Sequence, residues 1–149
     1  MAMQPEVKQY KLSPNEYQEI LNGVNLSAVW LGDLNYSCGL AKENCPISLN
    51  FNTNSHIKEQ TDGDTIVSFK FELKGLSDGV DVLSISGEYL LAFSAKQNIT
   101  EDFFEIFRDH SLSIMIWPYL RELFYNLTSR SNIAPFVLPL IKTIPPPKA

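Results

Sequence analysis

The spacing of apolar residues changes period twice along the chain. Between Pro14 and Asn22, the residues Tyr17, Ile20 and Leu21 recur at three- and four-residue steps, the period of a helix with one apolar side. Ser13, Pro14 and Glu16 form a capping-box start, and Gly23 is placed to stop the helix. A helix over 14–22 is predicted, too short to stand without something to pack on. From Leu26 to Phe93 the period falls to two. Leu34, Tyr36, Cys38 and Leu40 alternate with polar or small residues, as do Ile47, Leu49 and Phe51, and then Val67, Phe69, Phe71 and Leu73. These are strands with one buried face. The separators Lys42-Glu43-Asn44-Cys45-Pro46, Thr61-Asp62-Gly63-Asp64 and Gly75-Leu76-Ser77-Asp78-Gly79 are turn-like. Four strands with short connections predict an antiparallel meander, because parallel neighbours need crossover helices. The fourth strand, Asp81 to about Phe93, contains Gly87, a signal for a bulge or a close backbone approach.

Beyond the strands, Thr100 can cap a helical turn that carries Glu101 and Asp102 at its positive end. Phe103, Phe104, Ile106 and Phe107 are too many for one narrow stripe. A second capped start, at Ser111 or Ser113, leads into a long helix ending near Ser129. There Ile116, Leu120, Leu123 and Leu127 form an apolar stripe, widened by Trp117, Tyr119 and Phe124. Such a helix buries more than one side. Pro118 lies near its N-terminal end, where a missing N–H costs least. Residues 132–149 hold five of the nine prolines and are predicted extended. Residues 1–12 read as a flexible start and 141–149 as a flexible proline-rich tail. The whole, 1–149, is a single α+β domain.

Composition adds an excess of rings. A chain of 149 residues can bury roughly two-thirds of its unfolded surface without a staple. Nine Phe, six Tyr and two Trp are many for this length, so part of the aromatic surface is available for binding. The net charge of −5 and the absence of any Lys/Arg cluster exclude the electrostatic footprint of a nucleic-acid binder. The N-terminus has no signal-peptide core and no stretch is long enough to span a bilayer, so no membrane insertion and a cytoplasmic location are expected. Four Asn-x-Ser/Thr triplets, at Asn25, Asn35, Asn98 and Asn126, read as chance. Cys38 and Cys45, with His56 and His110 as the nitrogen candidates, fit no zinc spacing and read as free thiols.

Catalysis finds no footing. Neither histidine adjoins a nucleophile motif. The glycines are isolated, so no phosphate loop is present, and the carboxylate pairs Glu101-Asp102 and Asp62-Asp64 suit a helix start and a turn. No enzyme activity, no cofactor and no metal are expected. The surplus apolar surface is either core plus an oligomer interface, or the lining of grooves that hold unfolded polypeptide. A carrier of small hydrophobic ligands stays open on the same residues, as does an inhibitory partner of one folded protein.

Three short motifs narrow this choice. Trp117-Pro118-Tyr119-Leu120-Arg121-Glu122, Ser129-Arg130 and Pro135-Phe136-Val137-Leu138-Pro139 occur in that order and spacing. The combination resembles the signature of the SecB-like export chaperones, and the similarity extends over most of residues 14–140. It implies a SecB-like fold: a four-stranded antiparallel sheet with a long C-terminal helix and short helices packed on one face. It also implies assembly as a dimer of dimers, a homotetramer. The implied activity is ATP-independent holding of unfolded protein, which in the export branch serves protein transport by handover to the SecA motor. Client grooves would be lined by Phe51, Phe69, Phe71 and Tyr89 of the sheet, Trp117 and Phe124 of the helix, and Ile133, Phe136 and Leu138 of the tail. Ile116, Tyr119, Leu120, Leu123 and Leu127 would form the oligomer interface.

The departures are as informative as the match. Export SecB ends in a basic zinc tail with cysteine and histidine, whereas this chain ends in Pro-Pro-Pro-Lys-Ala. The family's acidic docking patch has no counterpart in Leu83-Ser84-Ile85-Ser86. Both argue against SecA as partner. The helix before the first strand looks like the branch encoded with toxin-antitoxin pairs, whose members bind an apolar extension of the antitoxin and protect it. The expectation is therefore a holdase of a toxin-antitoxin-chaperone system, with general export as the alternative within the family.

Overall fold

Ser13 opens the first helix as its sequence requires. The Ser13 hydroxyl accepts the Glu16 N–H at 3.2 Å while the Glu16 carboxylate accepts the Ser13 N–H at 3.1 Å, so two orphan donors are satisfied at once. The computed structural model describes residues 9–40 and 46–139. In chain order they form α1 (Pro14–Asn22), β1 (Val24–Cys38), β2 (Ile47–Thr61), β3 (Asp64–Ser77), β4 (Val80–Ala95), α2 (Glu101–Phe107) and α3 (Ser113–Ser129). Most of the expected flexible start, the separator Lys42–Cys45 and the tail 141–149 lie outside the described residues.

The sheet is antiparallel throughout, in the order β1-β4-β3-β2. Its hairpins use the predicted turns. Thr61 pairs with Asp64 around Asp62-Gly63, with Gly63 at φ +82°. Ser77 pairs with Val80 around Asp78 and Gly79, at φ +53° and +75°; two successive positive φ values match the twist of the flanking strands. The expected meander needs one correction: it holds for β2, β3 and β4, but β1 pairs with β4 instead of β2. The link between Cys38 and Ile47 is long enough for either partner, so its length does not decide. Burial does. β3 and β4 carry the continuous apolar set Val67, Phe69, Phe71, Leu73, Leu83, Ile85, Leu91 and Phe93, all buried, and these two strands take the centre while β1 and β2 take the edges.

Gly87 marks a close approach, as its position inside β4 suggested. The pairing of β1 with β4 slips between Leu31 and Asp33, opposite Tyr89 and Glu88. The slip brings the Asp33 carbonyl over Gly87, where any Cβ would collide with it and would also stand 2.9 Å from Cζ of Phe71.

The helical region departs from expectation in one respect. Instead of two helices with a second cap at Ser111 or Ser113, α2 and α3 are continuous through a π-helical turn, Arg108–Leu112. Leu112 is itself helical, at φ −60° and ψ −45°, and no side chain caps α3. The reason lies in the apolar phase. Phe103 and Phe107 are four residues apart, as are Leu112, Ile116, Leu120, Phe124 and Thr128, but the step from Phe107 to Leu112 is five. One π turn, bonded i to i+5, absorbs the extra residue and keeps both runs toward the sheet. All of these side chains are buried.

One face of the sheet and this helix enclose the core. Phe93 meets Phe107 edge-on at 5.3 Å, and Phe71 meets Phe124 at 5.8 Å. The crowd Phe103, Phe104, Ile106 and Phe107 is accommodated because α1 supplies another covering surface: Tyr17 stacks on Phe103 at 5.0 Å. Gly87→Ala is expected to destabilise the protein by about 1–3 kcal/mol through overpacking, read as a lower denaturant midpoint, with faster hydrogen exchange first in β1. Unchanged stability would show that the Asp33 approach is not tight.

Candidate functional site

A chain of rings ties β2, β3 and α3. Phe51 of β2 meets Trp117 at 5.9 Å and Phe124 at 5.6 Å, both edge-on. Phe124 is fully buried against Phe71. Residues 131–139 then fold back along α3. The Phe136 N–H donates to the Thr128 hydroxyl at 2.8 Å, that hydroxyl donates to the Phe124 carbonyl at 2.6 Å, and the Trp117 indole N–H donates to the Pro139 carbonyl at 2.7 Å. Leu138 is buried in the core, with Ile133 and Phe136 half-buried against it.

The expected client residues therefore fall into two groups. Phe69, Phe71, Tyr89, Phe124 and Leu138 are buried within the single chain, whereas Phe51, Trp117, Ile133 and Phe136 sit at the margin of the core. The expected interface residues divide too. Ile116 and Leu120 are fully buried and have no surface to offer a second subunit, because the long stripe that carries them is the one pressed on the sheet. Leu123 and Leu127 are half-buried against the core, and Tyr119 is 41% exposed.

The uncovered apolar surface lies elsewhere. β1 exposes Leu26, Trp30, Leu31, Leu34 and Tyr36, and α3 exposes Ile114, Met115, Tyr119 and Tyr125. The buried Tyr89 lies between the two sets: Leu31 pairs directly with it, and its ring meets Tyr119 at 6.0 Å. The Tyr89 hydroxyl also donates to the Tyr119 carbonyl at 3.4 Å. Burial, with smaller contributions from Glu122 and Tyr119, holds the Tyr89 phenol above its ordinary pKa, so it stays a neutral donor. The strand carrying this surface is an edge, and among the described residues its outer row of backbone groups has no partner strand. Trp30 and Leu31 were missed from sequence. The signal was the unbroken run Ala28-Val29-Trp30-Leu31, which puts apolar side chains on both faces of a strand.

The helix-free face of the sheet is mostly polar, with Trp30 and its pair partner Leu90 as apolar exceptions. A concavity of about 610 Å³ there is lined by Asp33, Asn52, Lys58, Lys70, Glu72 and Glu88 among others. Glu88 accepts from the buried Ser68 hydroxyl at 2.6 Å and from Lys58 at 3.0 Å. The Ser68 hydrogen bond, then Lys58, holds the Glu88 carboxyl below its ordinary value of 4.5, while burial opposes them. His56 lies on β2, and His110, within the π turn, stands 3.1 Å from the Tyr10 hydroxyl. Among the described residues no cluster of three His, Cys, Asp or Glu could hold a metal, and no helix is long and apolar enough to cross a membrane.

No protein-family model and no curated protein matches the chain. Among solved structures, the SecB-like chaperone Rv1957 of Mycobacterium tuberculosis, in complex with a ChAD peptide from the Rv1956 HigA1 antitoxin, is similar at a TM-score of 0.74 and 16% identity, over 83% of this chain and 94% of that one. The fold is SecB-like. The resemblance read from Trp117 to Pro139 and the superposition of the whole architecture agree. A protein of unknown function from Streptococcus agalactiae is also similar, at a TM-score of 0.50 and 13% identity, over 78% of this chain and 97% of that one. Within the SecB-like frame, the ring cluster lies between α3 and β2, and the exposed apolar strip lies on the β1 side.

Glu88 gives a pH test. Its folded pKa is lowered, so its contribution to stability is complete above about 4.5, the ordinary value, and is lost as pH falls through the lower folded value. The stability difference between wild type and Glu88→Gln should therefore be largest near neutrality and shrink on acidification below pH 4.5. A difference that stays flat across that range in denaturant titrations would remove the Ser68 and Lys58 bonds as its cause.

Proposed function

We propose that this chain is an ATP-independent holdase that binds unfolded or apolar polypeptide segments, and that its client is the antitoxin of a toxin-antitoxin-chaperone system. The observation that carries the reading is a SecB-like fold, shared with a chaperone that holds a peptide, in which apolar side chains of both β1 and α3 remain exposed in the single chain. A lone soluble chain rarely exposes such a surface without a partner. The antitoxin choice is supported by the similar chaperone, which holds an antitoxin peptide. The space a hydrophobic-ligand carrier would use, between sheet and helix, is filled by Phe71, Phe93, Phe107 and Phe124, which weighs against that alternative.

No catalysis is assigned, and the protein acts in the cytoplasm. Self-association into a dimer of dimers uses the β1 edge together with Tyr119 and its exposed neighbours on α3, instead of the buried Ile116 and Leu120. Pairing of two antiparallel edges supplies backbone hydrogen bonds, and Trp30, Leu31 and Tyr119 supply apolar area.

Stoichiometric protein should suppress aggregation of a denatured client, and should protect an antitoxin with an apolar extension from proteolysis without ATP. Failure with both clients would end the holdase reading. In native mass spectrometry the wild type should be a tetramer, and Leu31→Glu or Tyr119→Glu should yield smaller species at unchanged far-ultraviolet circular dichroism. A tetramer that survives both substitutions would place the interface elsewhere.

A further inference from the structure

The segment 132–139, Asn-Ile-Ala-Pro-Phe-Val-Leu-Pro, has the chemistry of what a holdase binds: extended, apolar and free of charge. It lies along α3 in the opposite direction, with Phe136 anchored at Thr128 and Pro139 at Trp117. The helix positions between those anchors include Arg121 and Phe124, four and seven residues after Trp117. Phe136 and Leu138 pack on the core there, beside the Phe51, Trp117 and Phe124 rings.

Two features distinguish this contact from ordinary core. Among the described residues its polar anchors are few, one backbone N–H and one backbone carbonyl, each held by a single side chain of α3. Any extended peptide offers the same two groups, so the anchors recognise backbone and carry no sequence requirement. The second feature is Arg121. Its Nε is buried and has no hydrogen-bond partner among the described residues, a cost that the folded-back segment leaves standing. A different occupant with a carbonyl or carboxylate at this point would remove it.

We infer that residues 132–139 are a displaceable strap, an intramolecular stand-in for client, and that an extended apolar segment enters by replacing it between α3 and β2. This rests on the holdase reading. The strap is held at the high effective concentration of a short tether, so it lowers the affinity for every client by the fraction of time the cleft is open. Weak competitors are excluded, and an apolar segment with an acceptor for Arg121 is favoured.

Two substitutions within the segment loosen it and leave Trp117, Thr128 and the rings of the cleft in place: Ile133→Ala and Leu138→Ala each remove an apolar side chain that the segment packs on the core. The probe is reduced, carboxymethylated lactalbumin, which stays unfolded, titrated by fluorescence anisotropy against the full chain. Each variant should bind it at least about fivefold more tightly than wild type, since losing one apolar contact of the segment shifts the opening equilibrium by at least roughly that factor. Hydrogen exchange at the Phe136 amide should quicken in both, with the β3 and β4 amides unchanged. Weaker binding in both variants would make the segment a fixed wall of the site and overturn the strap. Equal binding despite faster Phe136 exchange would show that opening is not on the path to binding and would overturn it too. Failure of wild type and both variants to bind the probe, or to prevent aggregation, would fall on the holdase reading and bring the strap down with it.

Discussion

The contact of Phe124 with Phe51 and Phe71 is the point on which the rest of the molecule turns. Those rings fix the distance between α3 and the two strands on the β2 side. The carbonyl of the same residue holds Thr128, which in turn holds Phe136. One buried side chain thus sets the depth of the helix on the sheet, and its backbone sets the course of the chain after the helix. Truncating a buried Phe of this kind to Ala costs on the order of 3–5 kcal/mol, a large fraction of the stability a domain of this size possesses.

The π turn solves a related problem at the other end of the helix. Two apolar runs with a four-residue step are out of phase by one residue, and a straight α-helix would point one of them into solvent. A break with a new cap would also have solved it, and Ser111 and Ser113 made that solution look natural from sequence. The chain instead keeps the hydrogen-bonded ladder and absorbs the extra residue in place. Tyr17, whose hydroxyl lies 3.4 Å from that of Ser111, packs beside it.

Local signals were therefore legible and global ones less so. The capping box at Ser13, the Asp-Gly turns, the alternation in β3 and the close approach at Gly87 each follow from a few neighbouring residues, and each is found where its residues placed it. The position of β1 was not legible, because a connection of this length permits either neighbour and only the competition for the centre of the sheet decides. For the candidate site, the period of α3 named its apolar residues but not its phase relative to the sheet. Ile116 and Leu120 turn inward, while Met115 and Tyr119, one position away, turn out. The motif from Trp117 to Pro139 identified the fold because it combines a helix with the segment that folds back on it, a pairing that single-element patterns do not report.

The two edges of the sheet differ in kind. β1 is apolar through its middle, from Ala28 to Leu31, while β2, of the same length, carries Asn50, Asn52, Asn54, His56, Lys58 and Glu59. An edge rich in amides and charges discourages pairing, and an apolar one invites it. A molecule with one inviting edge can join a single copy of itself about a twofold axis, after which both outer edges are of the guarded kind. Growth by strand addition then stops at two, so the chain can keep a sticky edge without becoming the seed of a fibre.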